Sequence, residues 1–257
     1  MCLLTIAYKV HPKYPLILAA NRDEFYQRST RPARFWVEEG FPDVLAGKDL
    51  SAGGTWLGVH PSGRWAALTN YRDLSRLKKD PPSRGELVLD YLKSNLSARE
   101  YLAKISYHSW VYNDFNLLVG DEKEVLYYSN VKGDILLVPP GVHGLSNAFL
   151  NTSWPKTDRI VNDMKTVIGS DHVGKEDLFR ILEDETLAED NLLPSTGLIK
   201  EMEKAVSSVF IRTDGYGTRC STVLQIDNHG EIRFTERSFE PNSRKVVWEE
   251  EFILPKK

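Results

Sequence analysis

Cys2 stands directly behind Met1 and opens an apolar run, and the polar cluster Asn21-Arg22-Asp23-Glu24 closes the next one. Removal of Met1, which a small second residue such as cysteine permits, would leave a thiol and a free α-amine on one residue. An α-amine titrates near ~7.7–8, so at neutral pH part of it is an unprotonated base. Threonine is known to be activated as a nucleophile by its own terminal amine, and cysteine can be used in the same way.

Two elements must position that pair. Leu3 to Tyr8 and Leu16 to Ala20 read as strands joined through Val10-His11-Pro12-Lys13-Tyr14-Pro15, where two prolines block ladder bonding and favour a turn. Placing Ala7 opposite Leu16 sets Cys2 opposite Asn21, with Arg22 and Asp23 adjacent. A guanidinium beside the thiol favours the thiolate, and Asp23 would hold the amine or ammonium. The plainer reading is a small strand residue next to a surface ion pair. Clustering of all these groups favours the site.

The chain has 257 residues, 41% hydrophobic and 27% charged, with a formal charge of −3. These values fit a soluble globular protein that folds as one domain over residues 1–257, and they give no general attraction to nucleic acid. No signal-peptide pattern precedes Cys2 and no apolar run is long enough to cross a bilayer, so a cytoplasmic protein without integral membrane association is expected. Two cysteines, Cys2 and Cys220, make no disulfide framework. The six histidines, His172 among them, are scattered without metal-ligand spacing, and Gly53-Gly54 lacks the spacing and lysine of a phosphate loop.

Along the chain, strands are expected again at Trp56 to Val59 and Trp65 to Thr69, with a polar stretch before them. Gly53-Gly54 marks a bulge or a close backbone approach. Residues 71–84 form a loop carrying Arg72, Arg76, Lys78, Lys79 and Arg84. It reads as a solvated surface, with binding of an anionic head group as the sharper alternative. Ser83 with Glu86 and Ser97 with Glu100 fit capping boxes for two helices. Strands follow at Asn116 to Gly120, Val125 to Ser129 and Ile135 to Val138, then a turn-like Gly144-Leu145-Ser146-Asn147. Helices are expected over Trp154 to Ile168, 175–186 and 198–206, and closing strands at Val209 to Arg212, Thr218 to Asp227, Glu231 to Phe239 and Val246 to Ile253. Strand and helix blocks without βαβ alternation indicate an α+β fold. Its first two strands are apolar on both faces, as buried strands are. That suits a four-layer αββα sandwich.

Met1-Cys2, Asn21-Arg22-Asp23-Glu24-Phe25, Gly53-Gly54-Thr55-Trp56, Thr69-Asn70-Tyr71-Arg72, Ser83-Arg84-Gly85-Glu86-Leu87, Gly144-Leu145-Ser146-Asn147 and Thr218-Arg219-Cys220-Ser221-Thr222 together resemble the NRDE family, also called the Transport and Golgi organization 2 family. The resemblance spans nearly the whole chain and implies the N-terminal-nucleophile hydrolase fold. It also implies links to intracellular haem mobilisation and to lipid and acyl-CoA homeostasis. The site is similar to that of cysteine-type linear-amide hydrolases such as the choloylglycine hydrolases. By that similarity Cys2 is the nucleophile, Arg22 and Asp23 tune thiol and amine, and Asn147 is an oxyanion donor. Asn70 is a second polar contact near the carbonyl, and Arg219 supports the site from a late strand. Cys220, alternating with Arg219, is expected on the opposite face and outside the site. Hydrolysis by such a site requires no cofactor. The alternative is a non-catalytic carrier of haem or an acyl lipid, with Cys2 or a histidine as axial ligand. The expected partner is accordingly a small amphipathic molecule: an amide substrate, haem or acyl-CoA.

Overall fold

Apolar runs buried on both faces form the first strands and the long strand near the other end of the chain, and helices lie between the blocks of strands. The computed structural model describes residues 2–170 and 173–255. Met1, whose removal the chemistry above needs, and His172 lie outside the described residues. In chain order the elements are β1 (Cys2–Tyr8), β2 (Leu16–Phe25), β3 (Thr30–Trp36), β4 (Phe41–Asp49), β5 (Leu57–Val59), β6 (Trp65–Asn70), α1 (Gly85–Lys93) and α2 (Ala98–Ser106). Then come β7 (Phe115–Gly120), β8 (Val125–Ser129), β9 (Ile135–Leu137), β10 (Gly141–Leu145), α3 (Pro155–Ile168), α4 (Lys175–Arg180), α5 (Lys200–Ala205), β11 (Tyr216–Ile226), β12 (Ile232–Phe239) and β13 (Val246–Leu254). The class is α+β, with two antiparallel sheets.

Two compact units divide the chain: the residues up to Gln27 together with Pro140–Leu254, and Arg28–Pro139. In the first, the sheet order is β10-β1-β2-β11-β12-β13. One sheet face, carrying Leu3, Ala7, Ile17, Ala19 and Val223, packs on Ile160 and Met164 of α3 and Leu178 and Phe179 of α4. Each fully buried Leu, Ile, Val, Met or Phe among them contributes about 1.5–3 kcal/mol over leaving it exposed. Close packing here depends on Gly144, where a Cβ would run into the Thr157 and Val161 side chains of α3.

The second unit orders its strands β3-β4-β5-β6-β7-β8-β9. Val44, Ala46, Ala66, Leu117 and Val119 face Leu87, Val88, Tyr91, Leu92 and Leu102 of α1 and α2. The Ser97–Glu100 capping box forms, each side chain bonding the other's backbone. Its counterpart at Ser83 does not. Helix α1 starts at Gly85 with Arg84 at the cap position, its side chain making no capping bond to the helix. Glu86 instead accepts from the Tyr112 hydroxyl at 2.7 Å, which removes it from the cap. The double glycine marks a close approach: a Cβ on Gly54 would strike the Gly85 backbone, and Gly85 O accepts from Thr55 N at 3.1 Å.

Three local expectations change. The polar stretch before Gly53 holds β3 and β4, disguised by charged side chains such as Arg31, Lys48 and Glu39 that pair with one another. Pro32 is tolerated because β3 is an edge strand whose register shifts between Arg31 and Arg34. Val209 to Arg212 forms no strand, only a bridge from Arg212 to Gly217. Gly144 and Leu145 end a strand, β10, instead of opening a turn.

Candidate functional site

Strand β2 does not stop at the polar cluster; it continues through Asn21, Arg22, Asp23 and Glu24 to Phe25. The hairpin runs one residue longer than the prolines alone suggest, since Tyr8 itself pairs with Leu16 and Lys9 N donates to Pro15 O at 2.8 Å. Lys9 takes a positive φ of 52° to make the turn. The register therefore moves by one, and Cys2 lies opposite Arg22, not Asn21. Directly opposed residues in an antiparallel pair point to the same face. The Cys2 thiol and the buried Arg22 guanidinium thus share one side of the sheet, while Asn21 and Asp23 take the other.

On that other side Asn21 is a structural clamp. Its Nδ2 donates to Leu182 O at 2.8 Å and to Val209 O at 3.0 Å, and its Oδ1 accepts from Ser221 Oγ at 2.5 Å. Asp23, 1% exposed, accepts from Thr218 Oγ1 at 2.7 Å, and Thr218 Oγ1 in turn accepts from Ile211 N at 2.9 Å. Burial pushes the Asp23 carboxyl above the ordinary aspartate range, against the pull of the buried Lys156 ammonium and the Thr218 bond.

Across β2 lies β11, with a bulge between Thr218 and Cys220. Thr218 pairs with Asp23, Arg219 is the extra residue, and Cys220 pairs with Arg22 and, on its far side, with Ser238. A single row on one face therefore reads Cys2, Arg22, Cys220, Ser238. The bulge corrects the expectation for Cys220, which shares the face of Cys2. Strict alternation from Arg219 misses this because one residue is taken out of register. At about 4.8 Å per strand step, the two cysteine Cα atoms stand about 10 Å apart with Arg22 between them. That exceeds the span of a disulfide, and both cysteines are free.

Cys2 is half-buried and Cys220 buried. Burial pushes the Cys2 thiol up; Asp23 and Glu24 push the same way, while the Arg22 guanidinium pulls it down. Arg22 acts in the direction expected of it, but burial outweighs it, so the resting group is the thiol. Cys220 is pushed up well beyond the ordinary thiol range by burial and by Glu236, which hydrogen-bonds it, with Arg22 again opposing.

Arg219 turns away from the row. It donates to Phe25 O at 3.0 Å and Tyr26 O at 3.1 Å and lies 5.9 Å from the Tyr26 ring centroid. It fastens the end of β2, a supporting role through backbone carbonyls. Burial, then the Arg22 charge, lowers its proton affinity. Asn147, 1% exposed, follows β10, whose last ladder pair is Leu145 with Leu4 of β1. Asn147 thus stands two residues beyond that pair, at the end of the sheet where Cys2 lies. Its segment is folded back by Asn151, whose N donates to Gly144 O at 2.8 Å and whose Oδ1 accepts from Gly144 N at 3.1 Å. Ser146 Oγ donates to Asn147 Oδ1 at 3.4 Å. Cys2, Arg22, Asp23, Asn147 and Arg219 are thus gathered at one end of the first unit. Asn70 belongs to the second unit, where it ends β6 opposite Phe115.

With its two antiparallel sheets and their flanking helices, the chain has the fold of the N-terminal-nucleophile hydrolases. The likeness is to the solved N-acylethanolamine-hydrolyzing acid amidase ortholog of Caenorhabditis elegans, with a TM-score of 0.51 at 12% identity, covering 87% of this chain and 92% of that one. Residues 1–241 match the model of the family described as Transport and Golgi organisation 2, and the chain belongs to that family. It is similar to the Transport and Golgi organization protein 2 homologs of Bos taurus, 37% identical, and Homo sapiens, 35% identical, with 93% of each chain covered. The Drosophila melanogaster protein of that name is 26% identical over 93% of this chain and 92% of its own. Among the described residues no helix is long and apolar enough to cross a membrane.

Proposed function

We propose that this protein is a cysteine amidohydrolase acting on a linear amide or related acyl C–N bond, with Cys2 as nucleophile once Met1 has been removed. The pairing of Cys2 with Arg22 on one sheet face carries this reading. The α-amine of Cys2 takes the thiol proton, which suits a group that burial holds protonated at rest. The sulfur attacks the carbonyl carbon, and Asn147 donates to the oxyanion, a contribution of roughly 3–4 kcal/mol for one donor. The C–N bond breaks as the ammonium returns the proton to the leaving amine, leaving a thioester on Cys2. Water, deprotonated by the same amine, then releases the acid.

Arg22 draws the thiol toward ionisation, and Asp23 fixes the amine from the opposite side of β2. The likeness to an amidase of the same fold supports an acyl amide as the substrate class.

The test combines intact mass of the protein from its native host with turnover of a panel of fatty-acyl amides. Loss of Met1, and turnover abolished by Cys2→Ala, are expected. A retained Met1, or turnover indifferent to Cys2→Ala, would overturn the assignment. Spectroscopic titration with haem and with acyl-CoA would then decide whether the protein is a carrier.

A further inference from the structure

The basic loop that the chemistry above does not use lies entirely in the second unit, and it is firmly attached there. Lys78 N donates to Asn113 Oδ1 at 2.9 Å, Lys78 Nζ to Tyr112 O at 2.6 Å, and Arg84 to Asp114 O at 2.9 Å. Arg76 Nε pairs with Asp114 at 2.5 Å. These ties hold the loop along residues 112–114, immediately after the turn that carries Trp110. On these two adjoining segments four large side chains are left in solvent: Leu74 at 43% and Leu77 at 65% exposure on the loop, and Tyr107 at 78% and Trp110 at 70% just before residues 112–114. Exposed Lys78 and Lys79 follow Leu77 directly, Arg76 precedes it, and exposed Lys104 stands three residues before Tyr107.

We propose that this patch is a docking surface for an anionic lipid bilayer. Tryptophan and tyrosine settle at the headgroup level, where an apolar ring and a polar edge are both satisfied. Leucines on a loop can enter the acyl boundary without a spanning helix, and lysines around them add attraction to anionic headgroups. The sign of the charge selects the occupant. The whole chain carries −3, yet here Arg76, Lys78, Lys79, Arg84 and Lys104 stand against Asp73, Asp80 and the Asp114 that pairs with Arg76, while Arg72 is buried. A second group of exposed apolar residues, Leu192, Ile199 and Met202, is interspersed with Asp190 and Glu201 as well as lysines, and has no such excess. The ties to residues 112–114 hold the loop in place before it binds, so little ordering is lost on docking.

Co-flotation of the full chain with phosphatidylcholine vesicles, with and without one part in three phosphatidylserine, tests the proposal. Binding is expected only to the anionic vesicles and is expected to fall as salt rises. Leu77→Asp and Trp110→Ser should each weaken it, and the double variant Lys79→Glu with Lys104→Glu should weaken it about tenfold or more. All four side chains are exposed, so circular-dichroism melts of these variants should match wild type, which separates lost docking from lost folding. No flotation with anionic vesicles at low salt, equal flotation with both vesicle types, or variants that float like wild type would each overturn the proposal. So would Leu77→Asp dissociating an oligomer in sedimentation without any lipid binding, since the face would then join two copies of the chain.

Discussion

Replacing Arg22 by Gln removes the one cationic side chain paired directly with Cys2. Two unit charges about 6 Å apart in an effective dielectric of about 20 interact by about 2.8 kcal/mol, or about two pH units of proton affinity. Cys2 is half-buried, so solvent screens part of this, and about one unit is the reasonable expectation. Only the thiolate is alkylated, so the iodoacetamide reaction of Cys2 at neutral pH should slow about tenfold in Arg22→Gln. The assay is alkylation rate against pH, read by intact mass. Cys220→Ser serves as the background so that a single thiol reports. Arg22→Lys, which keeps the charge, should recover most of the rate and shows whether any loss is simply misfolding. An unchanged or faster rate in a folded Arg22→Gln protein would refute the claim that this guanidinium promotes ionisation of Cys2.

Asp23→Asn should act in the opposite direction on the thiol, because the Asp23 charge pushes Cys2 up, and alkylation of Cys2 should quicken. Its own carboxyl is raised by burial, so the stability it contributes is present at low pH and lost as pH rises through its raised folded value. The Asn variant should accordingly gain melting temperature relative to wild type at pH 7, with the gap closing toward pH 4; a gap that widens on acidification would contradict this. Thr218→Val deletes the hydroxyl that Asp23 and Ile211 share, costing about 1–3 kcal/mol by denaturant titration, with a larger loss at pH 7 than at pH 4. Asn21→Ala removes three buried bonds and orphans two carbonyls, so a loss of about 3 kcal/mol or more in chemical denaturation is expected even though the side chain faces away from the thiol.

The class of the fold was legible because its strands carry their own evidence. Leu3 to Ala7 and Leu16 to Ala20 are apolar on both faces, and both are buried. Helix α3 was marked by the apolar spacing of Ile160, Val161, Met164, Val167 and Ile168. Strands β3 and β4 were not legible, since paired charges and an edge proline imitate a loop. The pairing of Cys2 with the polar cluster of β2 was legible to within one residue. What hid the rest was backbone geometry, which has no local signature: one more pair in the β1–β2 hairpin moved Cys2 onto Arg22, and one bulge in β11 brought Cys220 to the same face. Side-chain competition decided the false cap at Ser83, where Tyr112, distant in sequence, takes Glu86.

The first unit is made from the two ends of the chain, and this has a consequence in time. Asp23 meets Thr218 across 195 residues, so at a synthesis rate of roughly 10 residues per second about 20 seconds separate their appearance. Throughout that interval β1 and β2 have neither β10 nor β11 beside them for most of the way, while Arg28–Pro139 is a continuous stretch that can fold first. The hairpin bearing Cys2 therefore lacks its sheet neighbours through that interval. Removal of Met1, on which the proposed chemistry depends, has that waiting period to take place, before Asp23 and Arg22 are drawn into the sheet.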